Sequence, residues 1–153
     1  MKLFKILFTM KPINSSFGGG NQFLNNFLEY LDKFPIDIVF ELEPDIDIIF
    51  IMDPRKLSLN KITLEMVKQY KLDNPNVIVI HRINDSDKPR DHVDVLDPFI
   101  LDALNNVDDF PIFVSNFTKS YFTEKGYNGQ SNVILNGCNT KYFFPANKKN
   151  NNN

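Results

Sequence analysis

The sequence predicts an α/β fold: a doubly wound, three-layer Rossmann-like parallel sheet. Short apolar runs alternate with segments of helical period, the pattern of strands joined by crossover helices. One run, Ile46 to Met52, reads as apolar on both faces, as a central parallel strand covered by helices must. The chain has 153 residues, 42% of them hydrophobic and fifteen of them phenylalanine, so it can bury one core but not two.

The elements follow in order. Lys5 to Thr9 is a first strand, and a long loop runs from Met10 to Gly20. Asn21 to Lys33 reads as a helix because Phe23, Leu24, Phe27, Leu28 and Leu31 recur at helical spacing. Ile36 to Phe40 is the second strand and Ile46 to Met52 the third, bounded by Pro44 and Pro54. Thr63 to Lys71 is a helix, and Asn74-Pro75-Asn76 stops the chain before a fourth strand, Val77 to Ile80. A polar loop then runs from His81 to about Val95. Pro98 opens a helix through Val107, at an early helical position where its missing donor costs nothing. Phe110 to Val114 is the fifth strand. Ser115 or Asn116 caps a helix to Lys125, Gly126 ends it, and Asn132 to Leu135 is the last strand. Residues 1–145 therefore form one domain, and 146–153 are an Asn/Lys-rich stretch, read as a disordered tail or a linker.

Composition excludes several classes of partner. A formal net charge of -2 supplies no field to draw in nucleic acid or an anionic membrane. The aromatic residues follow the core pattern and do not interleave with a basic patch, so no nucleic-acid partner is expected. No run approaches the ~20 apolar residues of a spanning helix, and the opening apolar run is broken by Lys5, unlike a signal sequence. The single cysteine, Cys138, fits a reducing compartment, and a cytoplasmic location is expected.

Ligands of an open parallel sheet bind outside the carboxyl ends of its strands, and three loops there carry unusual residues. Gly18-Gly19-Gly20-Asn21 precedes a helix, where glycines admit a close ligand and free N–H groups favour an anion. The same glycines also suit a plain turn. They form neither a P-loop nor a proper dinucleotide fingerprint, although Glu41 or Glu43 leaves a ribose-binding alternative open. The second loop is His81-Arg82-Ile83-Asn84-Asp85. There His81 can exchange a proton near neutral pH, Arg82 can hold a phosphate at two points, and Asp85 can orient either cation. A solvated cluster pairing these cations with the aspartates is the competing reading. The third is Ser115-Asn116 with Asn136-Gly137, able to donate to sugar hydroxyls or phosphate but equally a helix cap and a tight turn.

Asp85-Ser86-Asp87 spells Asp-x-Asp, as does Asp45-Ile46-Asp47. Among nineteen acids the pattern recurs too readily to assign a metal. His92 has no zinc-like spacing with His81. No metal and no cofactor are expected.

In order, the glycine-rich loop before a helix, His81 to Asp85, Val114-Ser115-Asn116-Phe117 with Tyr121-Phe122, and Ile134-Leu135-Asn136-Gly137 through Phe144-Pro145 form a wider pattern. It resembles the N-terminal, acceptor-side domain of GT-B glycosyltransferases, family 4 in particular. The His-Arg-Ile-Asn-Asp loop is similar to that of a branch found in bacteria and large DNA viruses. Cys138-Asn139 departs from the small apolar residue and Asp common in the family. The resemblance implies one half of a GT-B fold, with a nucleotide sugar as co-substrate. It places Gly18 to Gly20 by the donor diphosphate, His81 and Arg82 facing the acceptor or the phosphate, and Asn136 at the start of a hinge. It further implies a C-terminal donor-binding domain, in cis or in trans, carrying the paired-glutamate motif, and a sugar, glycan or lipid acceptor. Residues 1–153 alone are then not expected to catalyse transfer. A non-catalytic sugar- or phosphate-binding module is the alternative.

Overall fold

A computed structural model of the chain describes residues 3–13, 18–55, 61–91, 95–138 and 140. Within them runs a six-stranded, all-parallel sheet in the order β2-β1-β3-β4-β5-β6. Its strands are β1 (Phe4–Phe8), β2 (Ile36–Val39), β3 (Ile48–Ile51), β4 (Ile78–Ile83), β5 (Phe110–Phe113) and β6 (Asn132–Val133). Four helices connect them: α1 (Gly19–Leu31), α2 (Leu64–Asp73), α3 (Asp97–Asn106) and α4 (Asn116–Glu124). The fold is the expected Rossmann-like α/β class.

The layers follow from strand alternation. Ile6, Phe8, Phe50 and Met52 point to one face and pack with Leu24 and Leu31 of α1. There Phe8, Phe27 and Phe50 lie with ring centroids 5.2 to 5.9 Å apart, within the range where aromatic pairs attract beyond their area. Leu7, Ile49, Ile51 and Val79 point to the other face, against Leu64 and Val67 of α2 and Ala103 of α3. Further along that face Ile83 and Phe113 meet Ile100 and Leu104 of α3 and Phe122 of α4.

Local chemistry closes several element ends, although α1 begins within the glycines, at Gly19, and not at Asn21. Thr63 and Ser115 cap α2 and α4, their hydroxyls accepting from the N–H of Met66 and Thr118. After α4, Gly126 adopts φ 101°. Its N–H donates to Thr123 and that of Tyr127 to Phe122, the paired closure of a Schellman motif.

Two boundaries differ from expectation in ways that matter. The fourth strand does not stop at Ile80. His81, Arg82 and Ile83 continue the ladder, in register with Pro111, Ile112 and Phe113 of β5. Their polarity suggested a loop, but the buried positions of His81 and Arg82 are supplied with partners, described below. The last strand is shorter than expected, because Ile134 and Leu135 are exposed beyond a single further bond from Ile134 N–H to Phe113. A short 3-10 turn, Lys88–Arg90, was not anticipated. His92, Asn139, Phe144-Pro145 and the 146–153 stretch lie outside the described residues.

Candidate functional site

The chain steps from β1 sideways to β2 and then back past β1 to β3, so the strand order reverses between β1 and β3. A crevice is expected at the carboxyl ends there, and one is found. A cavity of about 260 Å³ is lined by Gly18, Gly19 and Gly20 after β1, Met52 to Arg55 after β3, and His81 to Asp85 at the end of β4, with Leu96 and Ile100 of the α3 region. Its volume is below the roughly 300–1,000 Å³ of pockets that engulf a drug-sized ligand. It suits a single charged group or sugar ring.

The glycines begin α1. Gly18 holds φ 88° as the cap residue, a conformation that strains other residues, and its carbonyl accepts from Gln22. A Cβ at Gly19 or Gly20 would meet nothing within 4 Å among the described residues. Asn21 is buried and does not line this cavity. Its amide clamps the preceding loop instead, accepting from Ile13 N–H and donating to Ile13 carbonyl, both at 2.9 Å.

Arg82 lies on the α1 side of β4. Only 5% of it is exposed, and its guanidinium stacks over the Phe23 ring at 4.0 Å. Nη2 donates to Asn136 Oδ1 at 2.9 Å, whereas Nη1 is buried with no partner among the described residues. Burial pulls the pKa of the guanidinium below its ordinary value, through the loss of hydration. It nonetheless remains a cation.

His81 lies on the opposite face, 1% exposed. Its Nδ1 is 2.8 Å from Asp108 Oδ2, and the Asp108 side chain is fully buried. The Asp108 carboxylate accepts the Nδ1 proton, which fixes the orientation of the ring. Asp85 lines the cavity and accepts from Ser86 N–H. The structure thus gathers Gly18, Gly19, Gly20, His81, Arg82 and Asp85 at one cavity, with Asn136 joined to it through Arg82. Ser115 and Asn116 do not line it. Ser115 serves as the α4 cap, and Asn116 is the exposed first residue of that helix.

Two features escaped the sequence. Asp53 and Arg55 form a local fork, with Nε and Nη2 of Arg55 3.0 and 2.7 Å from the two carboxylate oxygens. This pairing holds the Arg55 pKa above its usual value. Their place after a central strand was a usable signal. Asp108 is 27 residues from His81, and nothing local announces that contact.

Other candidates are placed apart. Asp87 is buried and accepts from the N–H groups of Val95, Leu96 and Asp97, so that half of Asp85-Ser86-Asp87 serves as a clamp at the start of α3. Glu41 and Glu43 line a different cavity, of about 520 Å³, at the ends of β1 and β2, away from the glycines they would need for a ribose site. Among the described residues no group of three or more His, Cys, Asp or Glu is disposed to hold a metal, and no helix is long and apolar enough to cross a membrane. Comparison with protein-family models, with curated proteins and with solved structures gives no match.

Proposed function

We propose that this chain is the acceptor-side domain of a GT-B glycosyltransferase similar to family 4. It would bind the acceptor while a second domain, in cis or in trans, holds the nucleotide sugar. One observation carries the reading. The switch-point cavity joins the glycine end of α1 to a buried arginine whose Nη1 has no partner among the described residues, within a parallel sheet whose site motifs resemble that family's in order. Arg82 and the α1 N–H groups would receive anionic oxygens. His81, oriented by Asp108, would accept a hydrogen bond from a ligand hydroxyl, and Asp85 would contact the sugar. The nucleotide sugar is a co-substrate, and the reading invokes no metal or cofactor. A cytoplasmic setting suits such a donor.

The test is to supply a nucleotide-sugar-binding domain, fused or mixed, and to follow sugar transfer. Transfer with retained configuration to a glycan, lipid or small acceptor is expected. No transfer and no binding across those classes would end the proposal. A second reading, a module that grips sugar or phosphate without turnover, is favoured by the near-complete burial of His81. Ligand-induced shifts at Gly18 to Gly20 and His81 without product would select it.

A further inference from the structure

We propose that the cavity of about 520 Å³ at the ends of β1 and β2 is a second ligand site, for a neutral polyhydroxylated ring, a sugar or a cyclitol. It lies outside the switch-point site and stands or falls without the glycosyltransferase reading.

Its walls come from two adjacent parallel strands. Pro12 and Ile13 follow β1, and Ile38 and Phe40 belong to the end of β2. The α1-side core buries Ile38 and Phe40 only in part, and Ile13 is 44% exposed, so apolar surface lines the cavity. The volume falls within the roughly 300–1,000 Å³ of sites that enclose a small molecule. The β1 wall is fixed in advance, because Asn21 holds both the N–H and the carbonyl of Ile13. A ligand is thereby spared part of the cost of ordering its site.

Charge selects the class of ligand. Glu41 and Glu43 line the cavity together with Lys11 and Lys61, so acids and bases balance among the described residues. Glu41 pairs with Lys61 at 3.4 Å, and Glu43 with Lys5 at 3.0 Å. An ionic ligand would have to compete with these pairs. A hydroxyl would not. A carboxylate has about four lone-pair sites and an ammonium three donors, so each paired group keeps capacity for a neutral O–H. A ring with a C–H face and hydroxyls at its edge matches both halves of the lining: the apolar wall on one side, Glu41 and Lys61 on the other.

The full chain, labelled with ¹⁵N, would be titrated with methyl glycosides of common hexoses and with myo-inositol. Acetate and tetramethylammonium chloride, at matched ionic strength, are the ionic controls. Saturable shifts centred on the amides of Lys11, Ile13, Phe40 and Glu41 are expected with a neutral ring, and the tighter of the two sets tells a sugar from a cyclitol. Ile13→Asp sets a carboxylate on the apolar wall and should weaken binding by about tenfold or more. Glu41→Gln removes a charged acceptor and should weaken it severalfold. Both side chains are exposed, so neither change disturbs the core. No saturable shift with any neutral ring, shifts confined to the Gly18 to Gly20 amides, equal responses to the ions, or unchanged binding in either variant would overturn the proposal. Binding here with no sugar transfer in the fused or mixed protein would retain this site and remove the glycosyltransferase reading. Transfer with no response at this cavity would do the reverse.

Discussion

The stretch from the end of β4 to the first turn of α3 buries charge in two different ways. At one end Asp87 and Asp97 are almost fully enclosed, yet their oxygens are well supplied. Asp87 accepts from three backbone N–H groups. Asp97 accepts from Asp87 N–H, the Tyr121 hydroxyl and Lys125 Nζ. At the other end Arg82 is equally enclosed, with Nη1 unpartnered among the described residues. A buried charge with a complete set of hydrogen bonds holds structure together. One with a vacancy costs stability unless something else fills it. The aspartates thus fasten α3 and α4 to the loop, and the arginine is the ligand candidate.

Breaking the satisfied end should have the largest effect. Asp87→Ala leaves three backbone donors without acceptors, and we expect a loss of about 3–5 kcal/mol in urea unfolding, since each buried orphan costs roughly 1–3 kcal/mol and the losses overlap. A loss below about 1 kcal/mol would show that water replaces the carboxylate. Asp108→Ala comes next. It strands His81 Nδ1 in the core, and about 1–3 kcal/mol is expected, with Asp108→Asn recovering part of it.

Arg82→Met supplies the contrast. Exchanging an incompletely bonded buried cation for an apolar side chain of similar length should leave stability within about 1 kcal/mol of the parent. A loss as large as that of Asp87→Ala would mean that Arg82 is structural, and the distinction between the two ends would collapse.

These residues also show what the sequence could disclose. Sheet, helix order and most caps were legible, because hydrophobic period and capping chemistry are local signals: the α1 stripe, Ser115 and Gly126 all behave as read. That the glycines and the His81-Arg82 pair would meet at one cavity was legible, because the carboxyl ends of parallel strands gather such loops. Burial was not legible. His81 and Arg82 look like loop residues until Asp108 and Phe23 are brought beside them, and both contacts join residues far apart in sequence. Asp87 read only as half of an Asp-x-Asp pattern too recurrent to assign a metal. Its partners are backbone N–H groups, which carry no sequence signature.

The smallest effect expected is a slope in alkali, and it isolates the satisfied end. Burial first, and then the hydrogen bond to Asp97, raises the Tyr121 pKa, while Asp97 and then Tyr121 hold that of Lys125 well above its usual range. Groups whose pKa is higher in the folded state bind more protons there than in the unfolded chain, so stability falls as pH rises. The contribution is intact below the unfolded values near 10 and is lost above them. Tyr127, raised by burial and by the charge of Asp108, adds to the same slope from outside this network. Urea midpoints measured from pH 8 to 11 should therefore decline in the parent chain, less steeply in Tyr121→Phe, and still measurably there because Lys125, held by Asp97, and Tyr127 remain. Arg82→Met should follow the parent curve throughout, since its cation keeps its proton across that range. A flattened curve in Arg82→Met would tie the two ends together electrostatically and end their separation into structural and ligand-binding charge.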